Sequence, residues 1–459
     1  MKYVTRNFKS LFIFISFFVS TFSYPVLYSE HQSYDQLLQA SATHLKKQNL
    51  DDALYYLKKA IAVRPEGNQS IRDCAVILFQ LGNEFFDHKQ PKKAIEAFKT
   101  ILIMAGNFAA VYHNIAFTLA EKCGRYRESI EWYRTALEHD PNNVATHFCL
   151  ALSLLAVGKL HEGFEEYEWR WLRDKKSPRN FTWPLDKLWN GIENVQGKRI
   201  LLRVEQGLGD TLQFIRYAQL LKHDGAIVIA EVQRPLIDIL ALCDYIDELI
   251  VIGSPIPAFD LQIPMLNLPS VYKTTLETVP AHIPYLFADK NLVAFWKKQL
   301  THNTNFKIGI CWHGDLAHST DKFMPLNMFA QLADIPGISI YSLQRFNGLD
   351  QLKTLENKQI IRCFDDTFDK NQGRFMDTAA VIKNLDLVIT VDTSIAHLAG
   401  GLGVPVWVVL PFPAEWRWLE DRDDNPWYPT ARIFRRKEID TWQSVMDKIY
   451  NELRIILSH

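Results

Sequence analysis

The stretch Glu205-Gln206-Gly207-Leu208-Gly209-Asp210 is the most informative part of the chain. It follows an apolar run at 199–204 and precedes a helical pattern at 211–221, which predicts a buried strand, a tight glycine turn and a helix start. Glycine lets the backbone approach a ligand closely, and the first N–H groups of a helix have no partner within it. Asp210 therefore lies where it can cap the helix, accept a proton, or do both.

Length and composition narrow the class of protein. A chain of 459 residues is too long for one domain, and two or three are expected. Lys and Arg number 51 and Asp and Glu number 52, so no global positive charge points to nucleic acid. The 6 cysteines include no CxxC pair, which argues against a zinc site and against a disulfide framework.

The N-terminal segment has the pattern of a signal peptide. Lys2, Arg6 and Lys9 precede an apolar run at 11–19, and this run is short for a membrane span. We assign 1–29 to a signal peptide, with an uncleaved membrane anchor or a merely apolar N-terminus as alternatives. The segment predicts an exported or membrane-associated protein, or a cytoplasmic one if it is not a functional signal.

A helical repeat occupies residues 34–173. Small residues recur roughly every 34 to 41 positions, and each is followed four residues later by a bulky one, a spacing that packs paired helices into a solenoid. The pattern resembles the tetratricopeptide repeat and predicts a binding surface, with a plain helical bundle as the alternative. The small residues are Ala53, Ala94, Ser129 and Gly163, and the bulky ones are Leu57, Phe98, Tyr133 and Tyr167.

After a linker at 175–197, short apolar strands alternate with helical patterns. This alternation predicts parallel sheets with helices on both faces, and the proline-rich stretch 283–305 separates two such sheets. The predicted fold class is therefore an α-helical solenoid followed by two doubly wound, Rossmann-like α/β domains, at 174–300 and 301–459. Their ligand site is expected at the carboxyl ends of the strands. The predicted strands are 199–204, 226–231, 248–252, 307–312, 337–343, 385–391 and 404–410.

A second motif lies at 389–400, where an apolar strand ends in Asp392-Thr393-Ser394 and a helix follows. Hydroxyl and N–H groups at a helix N-terminus form an anion site, and Asp392 can accept hydrogen bonds from sugar hydroxyls. A simple N-cap is the alternative interpretation of these residues. His397 follows one turn later and is either a ligand contact or a core histidine.

Three further segments follow predicted strands. Gly314 and the loop lysine Lys322 come after one strand, and a lysine there can neutralise a diphosphate, although a solvated surface lysine is the alternative. Gln344 comes just after the next strand. The aromatic segment 415–429 is assigned to packing, because tryptophans bury a large area wherever they occur, with a platform for a sugar ring as the alternative. The sequence predicts no metal site.

These motifs together resemble a known family. Residues 199–459 are similar to the heptosyltransferase-like glycosyltransferases of family 9, which have a GT-B fold. The whole chain resembles bacterial proteins that join tetratricopeptide repeats to such a domain. The resemblance is carried by the segments 167–171, 205–214, 391–400, 405–407 and 416–429.

The resemblance implies an inverting, metal-independent transfer from a nucleotide-diphosphate sugar, with no other cofactor. It implies that Asp210 is the base and that Lys322 contacts the diphosphate. Phe323-Met324 stands where relatives with repeats have Arg-Ser, a departure in this loop. The candidate donor-binding residues are Gly207, Gly209, Gly314, Lys322, Gln344, Asp392, Thr393, Ser394, Ile395 and His397.

The resemblance leaves the acceptor open between a glycan and a polypeptide held in the groove of the repeats. The alternative function is a non-catalytic scaffold whose glycosyltransferase domain is degenerate. An export signal favours that alternative, because nucleotide sugars are normally cytoplasmic.

Overall fold

A computed structural model describes residues 32–173, 185–300, 304–314, 323–355 and 360–458. These residues divide into two compact units, 32–157 and 158–458. The predicted signal segment 1–29 lies outside the described residues. Within the described ranges, no helix is both long and apolar enough to cross a membrane.

The first unit is helical, and each helix packs against its neighbours in sequence. Small residues allow this close packing. The Ser41 hydroxyl donates a hydrogen bond to the Ala53 carbonyl at 2.7 Å, and a Cβ atom on Gly82 would lie 2.5 Å from the Phe98 ring. The helices are α1 Tyr34–Lys46, α2 Leu50–Ala62, α3 Asn68–Asp87, α4 Pro91–Ala105, α5 Ala109–Cys123, α6 Tyr126–His139 and α7 Val144–Ala156.

The second unit begins before its first sheet. Helices α8 (Leu160–Tyr167) and α9 (Arg170–Arg173), which the sequence pattern assigned to the last repeat, belong to this unit. Phe164 packs edge-on against Phe214 and Trp416, with ring centroids 6.2 and 5.7 Å apart. By its contacts, the second unit therefore starts near residue 158. The end of the repeats at residue 173 was predicted from sequence periodicity, and it stays a prediction.

Two parallel sheets form the core of the second unit. The first has the strand order β3-β2-β1-β4 and the second has the order β10-β9-β8-β5-β6-β7. With the helical first unit, this arrangement confirms the predicted fold class. The strands are β1 Arg199–Arg203, β2 Ile227–Val232, β3 Glu248–Val251, β4 Leu261–Pro264, β5 Phe306–Cys311, β6 Ile338–Ser342, β7 Ile361–Arg362, β8 Leu387–Val391, β9 Val406–Leu410 and β10 Ala431–Arg435.

Helices connect these strands. The predicted helix at 211–221 is two helices that meet at Ile215–Arg216, where the buried Arg216 guanidinium donates to the Trp427 carbonyl at 2.5 Å and to the Tyr285 hydroxyl at 2.8 Å. The helices are α10 Leu208–Phe214, α11 Tyr217–His223, α12 Ile237–Leu240, α13 Leu268–Val271, α14 Lys290–Leu300, α15 Leu326–Ala330, α16 Met376–Ile382, α17 Ser394–Gly401 and α18 Trp442–Leu457.

The strand order sets where the loops of the second sheet meet. β5 lies between β8 and β6, and all three run parallel. The loops that follow these strands carry Gly314, Gln344 and Asp392 at the same edge of the sheet. This is the edge at which ligands bind in open α/β folds.

Candidate active site

Asp210 lies in the first turn of α10, the helix that follows β1 in the chain. Its Oδ2 atom accepts a hydrogen bond from the Gly207 N–H at 2.8 Å, so the side chain caps the helix as the sequence indicated. Its Oδ1 atom lies 2.6 Å from Nη2 of Arg417, a residue of the second lobe (residues 301–459). The carboxylate therefore points from the first lobe (residues 174–300) towards the second, and its side chain is 22% exposed.

Thr393 is the N-cap of α17, which starts at the carboxyl end of β8. Its hydroxyl accepts a hydrogen bond from the Ile395 N–H at 3.3 Å, as the alternative N-cap interpretation expects. Ser394 opens the helix and Asp392 precedes the cap, and both are partly exposed, whereas Ile395 is buried. The positive end of the helix dipole thus lies at a surface that anions can reach.

The two motifs selected from the sequence come together in the fold. A Cβ atom on Gly209 would lie 2.8 Å from His397 Cδ2 and 3.7 Å from the Ser394 Cα atom. Glycine is therefore required for α10 and α17 to pack this closely. Gly207 and Asp210 lie at the start of one helix and Asp392, Thr393 and Ser394 at the start of the other.

His397 is a buried histidine within this contact. Its Nδ1 atom is 2.8 Å from the Tyr428 hydroxyl, and its ring stacks on Trp418 with centroids 5.4 Å apart. Burial, together with the positive charges of Arg417 and Arg216, lowers the pKa of His397 to about 3. The ring is therefore neutral at physiological pH, and its packing matches the core-histidine alternative.

Arg417 and Glu415 join Asp210 in a cluster of one cation and two carboxyl groups. The Arg417 guanidinium forms an ion pair with Glu415 through Nη1, and the Glu415 Oε2 atom accepts a hydrogen bond from the Arg417 N–H at 2.8 Å. Burial and the negative charges of Asp392 and Asp210 raise the pKa of the Glu415 carboxyl to about 7, against the opposing effect of Arg417. The cluster therefore changes its charge near neutral pH.

Aromatic rings fix the position of the Arg417 side chain. Its guanidinium lies 4.1 Å from the ring centroid of Trp416 and 5.9 Å from that of Phe214. Trp416 is in turn packed against Tyr167 and Phe164 of α8, with centroids 6.4 and 5.7 Å apart. The aromatic segment is therefore packing, as predicted, and this packing orients a charged residue at the site.

Side chains of α8 and α9 contact the residues that precede the glycine turn. Arg170 forms two hydrogen bonds to the Glu205 carboxylate, from Nε at 2.8 Å and from Nη2 at 2.9 Å. The side chains of Arg170 and Glu205 are 7% and 8% exposed. Gln206 donates from Nε2 to the Tyr167 hydroxyl at 2.7 Å. These contacts fix the two residues that immediately precede the turn.

Gln344 fixes the loops at the edge of the second sheet. Its Oε1 atom accepts hydrogen bonds from the backbone N–H groups of Trp312 and His313, at 3.1 and 3.0 Å, and its Nε2 atom donates to the His313 and Asn347 carbonyls. Gly314 follows in the same loop, and a Cβ atom there would lie 2.9 Å from the Phe323 ring. Gln344 and Gly314 therefore contribute to the conformation of the loops that follow β5 and β6, next to α17.

Lys322 lies outside the described residues, so its predicted contact with the diphosphate stays a prediction. Among the residues that the structure describes, no group of three or more His, Cys, Asp or Glu side chains is arranged to hold a metal ion. Glu415 and Arg417 were not among the predicted site residues, because only the aromatic side chains of their segment were considered, as packing or as a sugar platform.

Part of the chain matches a repeat profile, and most of it resembles a bacterial protein. A family profile described as TPR repeat matches residues 121–158. The chain is 25% identical over 434 residues to Protein FlbA of Caulobacter vibrioides, covering 88% of this chain and 70% of FlbA. The predicted repeats are confirmed in the matched segment.

Solved structures also resemble the chain. The glycosyl transferase family 9 structure from Veillonella parvula is 15% identical, with a TM-score of 0.40 over 57% of this chain and 91% of that one. ADP-heptose lps heptosyltransferase II from E. coli is 14% identical, with a TM-score of 0.40 over 57% of this chain and 100% of that one.

Proposed function

We propose that the second unit transfers a sugar from a nucleotide-diphosphate sugar to a hydroxyl group of a glycan or protein acceptor. The observation that carries this proposal is the meeting of two helix starts from separate lobes. Asp210 on α10 faces the second lobe through its 2.6 Å ion pair with Arg417. The N-terminus of α17 lies beside it, because Gly209 packs against His397.

In this mechanism Asp210 takes the proton of the acceptor hydroxyl as its oxygen attacks the anomeric carbon of the sugar. The new C–O bond forms on the face opposite the diphosphate, the bond to the diphosphate breaks, and the configuration inverts. The departing diphosphate carries negative charge, which the dipole of α17 and the first-turn groups Thr393 and Ser394 stabilise. Lys322 and Asp392 contact the diphosphate and the sugar, and no metal ion takes part.

The repeats provide the second part of the proposed function. Solenoids of this type present an extended concave surface, which suits a polypeptide or a glycan chain. We assign the docking of the acceptor to the repeats and the chemistry to the second unit. The N-terminal segment adds a possible route to membrane association if it acts as an anchor.

Nucleoside diphosphates should stabilise the full chain against thermal unfolding. A ligand that binds only the folded state, at 100 times its Kd, contributes about 2.7 kcal/mol, so at least one of UDP, ADP, GDP or CDP should raise the Tm. The Ser394→Glu variant places a carboxylate at the proposed diphosphate site, and it should lose this response. The measurement is a thermal-shift titration of wild type and variant with each nucleotide.

Ser444→Glu is the matched control, because it adds the same charge in the first turn of the unrelated helix α18. Acidic residues are favourable at helix N-termini, so neither substitution should unfold its helix. A chain whose Tm responds to none of the nucleotides would support the scaffold alternative instead.

A further inference from the structure

Asp210, Arg417 and Glu415 form a three-membered cluster that the proposed mechanism uses only in part. The Arg417 side chain is 5% exposed, and it lies between the carboxyl groups of Asp210 and Glu415, which are 22% and 14% exposed. Asp210 comes from the first lobe, and the other two residues come from a 3-10 turn and its N-cap in the second lobe. No sequence motif pointed to this arrangement.

Resting on the proposed function, we propose that Arg417 and Glu415 are positioning residues that hold Asp210 across the lobes, with one guanidinium shared between two carboxyl groups. A single guanidinium shared by two carboxylates leaves one net negative charge, which is available to accept the proton of the acceptor hydroxyl. A guanidinium paired with Asp210 alone would leave no net negative charge in the cluster to attract that proton.

The surroundings of the cluster make this sharing effective. Water is largely excluded, so the interactions among the three charges are stronger than they are at a surface. Tyr167 faces Arg417 from α8, Asp392 faces both Arg417 and Glu415 from the end of β8, and the neutral His397 faces Arg417 from α17. Rotation of the guanidinium is restricted by the rings of Trp416 and Phe214. The positions of the three side chains are therefore fixed, and the property of the cluster that changes with pH is the protonation of Glu415.

Burial raises the pKa of Glu415 to about 7, above that of an unfolded glutamate at about 4.3. Below neutral pH Glu415 is protonated, and Arg417 then pairs with Asp210 alone. The Arg417 guanidinium is shared by two carboxylates only when Glu415 is ionised. The rate of sugar transfer should therefore rise as the pH increases through neutrality.

Two variants should move the acid limb of the pH–rate profile in opposite directions. Glu415→Gln leaves a one-to-one ion pair, so the limb should move to lower pH by about one unit or more, with a lower plateau of kcat. Arg417→Gln removes the cation that favours ionised carboxylates, so the limb should move to higher pH. Loss of packing alone would lower kcat without such opposite shifts. Glu438→Gln, an exposed glutamate of the same lobe, is the matched control and should leave the profile unchanged.

A stability measurement tests the cluster without any need for transfer activity. Because the pKa of Glu415 is higher in the folded state, ionising it disfavours folding, and the wild type should lose stability relative to Glu415→Gln as the pH rises from about 4.3 through 7. A double-mutant cycle with Asp210→Asn and Glu415→Gln, followed by Tm, should give coupling at pH 8 and little at pH 5.

The combined outcomes separate the inference from the proposed function. An active wild type whose acid limb moves in opposite directions in the two variants supports the inference, and limbs that stay in place or move together overturn it. If Arg417→Gln does not fold, the Glu415→Gln profile decides alone. If the wild type transfers no sugar, the proposed function fails, and the double-mutant cycle decides the inference: coupling at pH 8 supports it, and the absence of coupling at both pH values overturns it.

Discussion

Asp210→Asn is expected to reduce sugar transfer by about 10²- to 10⁴-fold, the usual contribution of a positioned general base. An amide of the same shape can still accept the hydrogen bond from the Gly207 N–H, which the Asp210 carboxylate accepts at 2.8 Å, so the helix start should persist. It cannot take a proton from the acceptor hydroxyl at neutral pH. The measurement is kcat and KM for transfer, together with nucleotide binding by calorimetry.

Donor binding provides the internal control for this variant. The proposed diphosphate contacts are on α17 and not on Asp210, so the Kd for the nucleotide should change by less than about threefold, below the tenfold that 1.4 kcal/mol represents. Asp224→Asn, a carboxylate of the same lobe just after α11, serves as the matched substitution and should retain full turnover. An Asp210→Asn enzyme with wild-type turnover would remove Asp210 from the role of base.

Arg170→Met is expected to have the largest effect on stability. It leaves the Glu205 carboxylate, 8% exposed, without the guanidinium that donates two hydrogen bonds to it. Removing one partner of a buried, hydrogen-bonded ion pair costs about 3–5 kcal/mol, because the other charge loses its principal counterion and stays buried. The measurement is the free energy of unfolding of the second unit in urea. Replacing both partners, as in Arg170→Met with Glu205→Leu, should restore a large part of the loss.

The matched control for Arg170 is an exposed pair with similar geometry. Arg422 also donates two hydrogen bonds to one carboxylate, that of Asp424, at 2.6 and 2.7 Å, but Asp424 is 70% exposed. Arg422→Met should therefore cost less than about 1 kcal/mol. Similar losses in the free energy of unfolding for the two variants would mean that burial does not strengthen the ion pair between α9 and Glu205.

Sequence patterns predicted the parts of the fold that local residues determine. The seven predicted strands are all present, because short apolar runs flanked by glycine and proline are distinctive. The missed strands are short or atypical: β4 has only four residues and ends in Pro264, β7 has two residues, and β10 contains two charged residues, Arg432 and Arg435. Their pairing depends on the neighbouring strands, which a local pattern does not contain.

Local patterns also predicted the structural positions of two candidate site segments. Glycine turns and N-caps have local signatures, so the helix starts at Asp210 and at α17 could be located from sequence. The link between them was not found, because Arg417 and Glu415 lie about 200 residues from Asp210 in the chain. Tyr167 and Arg170 were assigned to the repeats, since the small-to-large spacing continues through α8. Their contacts with Gln206 and Glu205 appear only in the fold.

The central claim is that two helix starts on separate lobes form one site for a diphosphate-linked donor. The most direct measurement is a crystal structure of the full chain with a bound nucleoside diphosphate, selected by thermal shift. The diphosphate should lie at the N-terminus of α17, within hydrogen-bonding distance of Thr393 or Ser394, with the Asp210 carboxylate facing the space that the sugar would occupy. A diphosphate bound elsewhere, or an Asp210 side chain turned away from it, would mean that the two helix starts do not form the donor site.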